Sequence, residues 1–158
     1  METPYGGRDG DGIENGITEI RPGTYAFLDA DQAQLIGTYA FCAQTVLATV
    51  ISRPTPERVV LDAGTKSLTY YVQERGVTRA IGHGRLKVDP RIYLDKMSDE
   101  HSSFDIPEGS SLRFEIGDKL EIIPNHACPT TNLHEVIYGV RQGQVEVVWP
   151  VLCRGKSQ

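Results

Sequence analysis

The sequence predicts an all-β domain, a barrel or a sandwich, with at most short helices. Three observations carry this reading. From Ile17 onward, short apolar runs alternate with turn residues. Val, Ile, Thr and Tyr dominate those runs, as a pleated, half-buried surface prefers. No stripe of 3.6-residue period is long enough for an extended helix, and many short strands without long helices fit a closed or two-layered β-fold.

The elements follow in order. Residues 1–16 are rich in Gly and Asp and read as a flexible lead-in. Strands are expected at 17–20, 24–28, 45–52, 58–62, 91–97, 119–123, 133–140 and 144–152. Turns are explicit at Arg21-Pro22-Gly23, Asp62-Ala63-Gly64, Ile116-Gly117-Asp118 and Arg141-Gln142-Gly143. Residues 29–37 (DADQAQLIG) can form a short helical turn. No fixed-period repeat is visible. Residues 17–155 read as one undivided domain, with 156–158 as a tail.

Composition excludes several classes of function. A chain of 158 residues suits one domain with a real core. Net charge is −5 with both signs scattered, and no basic stripe points to nucleic acid. No apolar stretch approaches the roughly 18 residues of a membrane helix. The start lacks the basic and apolar regions of a signal peptide, so none is expected. Three cysteines do not make a disulfide framework, and a reducing cytoplasm is the expected compartment.

The sharpest chemical feature is Pro124-Asn125-His126-Ala127-Cys128-Pro129-Thr130, directly after the strand expected at 119–123. If that strand continues, His126 and Cys128 point to one face. Imidazole and thiolate suit Zn²⁺, and two protein ligands would leave positions open for water or substrate. The plainer reading is a core cysteine beside a hydrogen-bonded histidine. A second feature, Ser98-Asp99-Glu100-His101-Ser102, follows the strand expected at 91–97. Asp99, Glu100 and His101 could line a substrate or support a metal ligand, or form a solvated turn. A third, Asp62-Ala63-Gly64-Thr65-Lys66, offers Lys66 as a Schiff-base amine or a surface ion-pairing group. His134 reads as a satisfied sheet histidine, His83 as a loop residue and Tyr25 as a strand aromatic. Cys42 and Cys153 read as small core residues.

Taken in order, these motifs resemble a known family. Gly16-Ile17-Thr18-Glu19-Ile20-Arg21-Pro22-Gly23-Thr24-Tyr25, Val60-Leu61-Asp62-Ala63-Gly64-Thr65-Lys66, Met97-Ser98-Asp99-Glu100-His101, Gly117-Asp118, Pro124-Asn125-His126-Ala127-Cys128-Pro129-Thr130-Thr131-Asn132-Leu133 and Trp149-Pro150-Val151-Leu152-Cys153-Arg154-Gly155 resemble the C-terminal domain of the D-serine dehydratase / D-threonine aldolase family. The resemblance implies a single barrel-like β-domain, similar to the C-terminal domain of alanine racemase. It implies a pyridoxal-phosphate lyase whose cofactor lysine lies in a separate (β/α)₈ barrel. It also implies a divalent metal on His126 and Cys128, Zn²⁺ or else Mn²⁺, facing a D-hydroxy-amino acid. The family usually has Gly where Ser102 stands.

A (β/α)₈ barrel takes about 250 residues, and none is expected before Ile17, so Lys66 does not inherit the cofactor lysine's role. The expectation is therefore a lyase domain inactive alone, working with a barrel on another chain or pairing as a homodimer. The alternatives are a free-standing metal-binding or protein-interaction β-domain, and a structural β-domain without metal.

Overall fold

The computed structural model describes residues 18–72, 76 and 78–156. The lead-in expected at 1–16, Ile17 of the first expected strand and the end of the 156–158 tail lie outside the described residues.

The architecture is the expected all-β one, a curled half-barrel sheet carrying short helices. Strand β1 (Val46–Ser52) is its spine. The first half of β1 pairs antiparallel with β6 (Lys119–Ile123), from Val46↔Ile122 to Thr49↔Lys119. Its second half pairs with β2 (Arg58–Leu61), across an irregular register between Val50 and Ser52. With β3 (Arg85–Leu86), β4 (Lys96–Met97) and β5 (Ser102–Asp105), the order is β3-β6-β1-β2-β5-β4. Alternation places Val59 and Leu61 of β2, Phe104 of β5, and Leu120 and Ile122 of β6 in one buried core. Phe104 meets Phe114 edge-on, with ring centroids 5.6 Å apart, an arrangement aromatic quadrupoles favour.

The 29–37 segment forms helix α1 (Ala30–Ile36), and its ends show why. The Asp29 side chain accepts from Gln32 N–H at the start, and Gly37 closes the helix at φ 79°. The Gln142-Gly143 turn, with φ of 51° and 77°, joins β7 (Val136–Arg141) to β8 (Gln144–Pro150). Positive φ at both turn residues matches the twist of a two-residue hairpin.

Several expectations are corrected. The strand expected at 24–28 is a 3-10 turn at Thr24–Ala26, where Thr24 C=O accepts from Phe27 and Leu28 N–H. Backbone pairing is local there, and the sheet runs from β3 to β4 without this segment. Of the strand expected at 91–97, only an isolated Arg85↔Tyr93 bridge and β4 are regular, because Asp89 and Pro90 turn the chain just before it. The strand expected from residue 133 begins at Val136, since Leu133 ends a helix and His134 caps it. The short strands β3 and β5 and the helices α2 (Thr65–Leu68) and α3 (Ala127–Leu133) were not expected. No helix among the described residues is long and apolar enough to cross a membrane. Cys42 is buried as expected, whereas Cys153 is exposed beyond the hairpin and is no core residue.

Candidate metal and substrate site

The segment after β6 does not continue as a strand. His126 is still extended (φ −138°, ψ 119°), but it is the N-cap of α3, and Cys128 lies in the first helical turn. The same-face argument from strand alternation therefore does not apply to His126 and Cys128. What organises the segment is a set of long-range hydrogen bonds.

Ala30 N–H and Asp31 N–H, at the start of α1, donate to Pro124 C=O (3.0 Å) and Asn125 C=O (3.2 Å). The Asn125 amide donates to Tyr71 C=O (2.9 Å) and Gly82 C=O (2.8 Å), tying two loops to the end of β6. The fully buried Asp29 carboxylate accepts from Ala127 N–H at 2.9 Å and lies 3.1 Å from His126 Nδ1. Both Asp29 oxygens accept backbone N–H bonds, from Gln32 and from Ala127, so the carboxyl meets Nδ1 as an acceptor and Nδ1 donates. That leaves Nε2 as the ring nitrogen with a lone pair, as a metal ligand needs, and a carboxylate behind a ligating histidine is the usual way to hold its tautomer. The Tyr71 ring packs against the imidazole, with centroids 4.8 Å apart. Cys128 is exposed with a free thiol. An oriented imidazole and an accessible thiol are a donor pair that fits Zn²⁺. Among the described residues, no group of three or more His, Cys, Asp or Glu could hold a metal, so those residues supply two ligands at most.

Asp31 is buried beside this pair, and burial, reinforced by Asp29 and opposed by His126, pushes its carboxyl up to about 6. The sign follows from linkage. Below about pH 4 Asp31 is neutral folded or unfolded and contributes nothing; above about pH 6 the folded state holds a buried charge. Wild type should lose stability relative to Asp31→Asn as pH rises through this window, by about 3 kcal/mol. Urea unfolding at pH 4 and pH 7 checks it, and a pH-independent difference would refute it.

The second and third motifs come together at another corner. Gly64 enters α2, whose Thr65 and Lys66 N–H groups donate to Ser98 C=O (2.9 Å) and Asp99 C=O (3.0 Å). Lys66 Nζ pairs with Glu100, which raises the lysine and lowers the carboxylate from their ordinary ranges. Lys66 is thus the exposed, ion-pairing lysine of the two readings. Asp99, Glu100 and His101 are exposed. Among the described residues, no hydrogen bond or ion pair joins them to His126 or Cys128. Ser102 is buried and pairs with Leu61 and Met97 as the first residue of β5.

The two corners connect through the helices. Thr130 Oγ1 lies within hydrogen-bond reach of both His126 C=O (2.9 Å) and Leu68 C=O (3.2 Å), and His134 Nε2 donates to Ser67 C=O at 2.9 Å. His134 is thus satisfied as expected, but at the end of α3 and not in a strand. Tyr25 is exposed in the 3-10 turn. Burial lowers the His83 imidazole pKa, and the ring packs at a tilt against Tyr70, with centroids 4.9 Å apart. Asp29, Asp31 and Tyr71 were missed as site residues. Only the helix-start signal marked Asp29, and it carries no hint of a partner 97 residues away.

Residues 43–140 match the family model described as "Putative serine dehydratase domain". The chain belongs to this family. It is 36% identical over 156 residues to a D-threonine aldolase of an Arthrobacter species, covering 97% of this chain and 38% of that protein. The chain thus spans well under half the length of that relative. An uncharacterized protein of Mycobacterium tuberculosis is 36% identical over 122 residues, covering 73% of this chain and 86% of that one. Among solved structures, the D-threonine aldolase of Filomicrobium marinum superposes with a TM-score of 0.70 at 34% identity, over 86% of this chain and 36% of that one. D-threo-3-hydroxyaspartate dehydratase of Delftia sp. HT23 has a TM-score of 0.69 at 27% identity, over 87% of this chain and 40% of that one. Two alanine variants of D-threo-3-hydroxyaspartate dehydratase superpose equally well, with TM-scores of 0.70; one replaces a histidine, and the other, in its metal-free form, replaces a cysteine two positions later.

Proposed function

We propose that this chain is the metal-bearing β-domain of a pyridoxal-phosphate-dependent D-amino-acid lyase of the D-threonine aldolase or D-serine dehydratase type. The observation that carries the proposal is the buried Asp29 carboxylate behind His126 Nδ1. It prepares one imidazole nitrogen for a cation, two residues before an exposed cysteine. His126 and Cys128 would hold Zn²⁺ or Mn²⁺, with Asp29 orienting the histidine. When bound, the cation supplies a Lewis acid for a substrate hydroxyl, and pyridoxal phosphate on a barrel domain supplies the electron sink. The lyase activity belongs to a protein that includes such a barrel, and Asp99, Glu100 and His101 are left as candidates for lining the substrate side. A reducing compartment such as the cytoplasm suits an exposed thiol ligand.

Calorimetric titration with Zn²⁺ tests the proposal. Wild type should bind one ion, and His126→Ala and Cys128→Ala should each weaken it at least about tenfold. Affinity should fall in acid, because both ligands must shed their protons. Equal binding by all three proteins would reject the site.

A second reading, a free-standing domain, is favoured by the M. tuberculosis relative, most of whose length this domain covers. The β7–β8 hairpin bears on both readings. Tyr138, Val140, Val148 and Trp149 are exposed on it, and the chain just past it is tied back to α3 and its C-terminal flank, through Val151 N–H to Glu135 C=O, Arg154 to Leu133 C=O and Gly155 N–H to the Asn132 side chain. Gly139 lies under Trp149, where a Cβ would come within 2.8 Å of the indole. An apolar ribbon of this kind is seldom left to water. It would face a barrel chain or, without one, a second copy in a symmetric dimer. Light scattering should show a dimer for wild type and a monomer for the double variant Val148→Glu, Trp149→Glu. A wild-type monomer over a wide concentration range would contradict this.

A further inference from the structure

We propose that a cleft between the 37–42 turn and the 85–91 segment binds a small ligand through its oxyanion, a carboxylate or a phosphate, with Arg85 as the receiving group. The cleft has a volume of about 820 Å³, and Tyr39, Cys42 and Ile123 form part of its wall beside Arg85. It shares no residue with the Asp29–His126 pair, although the thiol of its wall residue Cys42 donates to Asp29 C=O at 3.5 Å.

Arg85 is the unusual member of the wall. It is only 8% exposed, yet no carboxylate among the described residues pairs with it. Its Nη1 reaches one carbonyl, Pro90 C=O, at a long 3.4 Å, and its Nε has no partner. The guanidinium carbon sits 5.2 Å from the centre of the Tyr93 ring, a partial compensation. A lysine so placed could lose its proton, but a guanidinium stays charged. A buried charge without a counterion is costly, and an oxyanion meeting the guanidinium fork relieves that cost.

The other cations at the cleft are already matched. Lys87 pairs with Glu121 at 2.6 Å, and Arg91 with Asp89 at 2.7 Å. Arg85 is therefore the cation whose charge is unspent, and the cleft is not a general basic patch. Asp89 also lines it, which disfavours polyanions and points to a ligand with one acidic group. The half-buried Tyr39 ring in the wall suits a carbon body behind that group.

Separate titrations of the full chain with inorganic phosphate and with succinate, at constant ionic strength, test this by calorimetry or thermal shift. Wild type should saturate with at least one of them, with a Kd of about 1 mM or tighter. Saturation by phosphate alone supports a phosphate-bearing ligand, by succinate alone a carboxylate-bearing one, and by both a shared oxyanion site. Arg85→Met should weaken binding at least about tenfold, the cost of losing a charged hydrogen-bond donor. Ala40→Trp, at an exposed position in the cleft wall, should block binding while leaving Arg85 in place, so the test stands even if Arg85→Met fails to fold. No saturation by either probe would overturn the proposal, as would unchanged binding in Arg85→Met or Ala40→Trp.

Discussion

Gly64→Ala is expected to destabilise the fold by about 3–5 kcal/mol, although it adds one methyl group. A Cβ at Gly64 would stand 2.3 Å from Ser98 O and 2.6 Å from the Asp99 carbonyl carbon and oxygen. These are backbone atoms, so no side chain can rotate away. The backbone at Gly64 is ordinary extended chain (φ −131°), so the penalty is steric and not conformational. Relieving the clash means pulling the start of α2 away from the 98–99 carbonyls and losing the Thr65 and Lys66 N–H bonds to them. Urea unfolding should show a lower midpoint at unchanged slope. Lys66→Ala, which removes only the exposed partner of Glu100, should leave the midpoint nearly where it is. A Gly64→Ala loss below about 1 kcal/mol would mean that the two motifs are not in this contact.

Asp29→Ala should cost about 3 kcal/mol or more, because one fully buried carboxylate serves three donors. Losing the cap on Gln32 N–H alone accounts for about 1 kcal/mol. Ala127 N–H would be left buried without its acceptor, at a further 1–3 kcal/mol or so. Asp29→Asn separates the structural from the functional part. Its single amide oxygen can serve Gln32 or the Ala127–His126 side, but not both, so stability should fall by less than for alanine. If Asp29 also holds the His126 tautomer for a cation, Asp29→Asn should weaken Zn²⁺ binding by about 10-fold or more while both ligands remain. A stable Asp29→Ala protein would refute the structural claim. Unchanged Zn²⁺ affinity in Asp29→Asn would refute the positioning claim and leave the fold argument intact.

The sequence was most legible where structure depends on neighbours in the chain. The 45–52, 58–62, 119–123 and 144–152 runs became strands within two residues of the expected ends, because alternation and turn residues are local signals. It was least legible around His126. Apolar β6 leads straight into Pro124 and Asn125, which read as more extended chain, yet the segment becomes a cap and then a helix. Pro129 sits in the first turn of α3, where the missing N–H costs no intrahelical bond. The same proline supports a stiff extended loop equally well, and that is the conformation the sequence alone suggests. β5 was hidden for another reason: Ser102-Ser103-Phe104-Asp105 carries one large apolar residue, and its strand character comes from lying between β2 and β4.

By itself, the sequence determined the β-rich class, the 29–37 stretch as a place for a short helical turn, the turn at Gln142-Gly143 and the family to which the ordered motifs belong. Each of these is written in residues a few positions apart, where φ preference, capping and alternation act directly. Only the tertiary structure decided that Asp29 stands behind His126, that Gly64 meets the Ser98–Asp99 backbone, and that Arg85 is buried without a carboxylate. Those pairings join distant residues, and they exist because the sheet order β3-β6-β1-β2-β5-β4 brings the strand ends together. No local preference encodes such an order. It is set by which arrangement buries Val59, Leu61, Phe104 and Ile122 in one core, and the polar contacts at its corners follow from that burial.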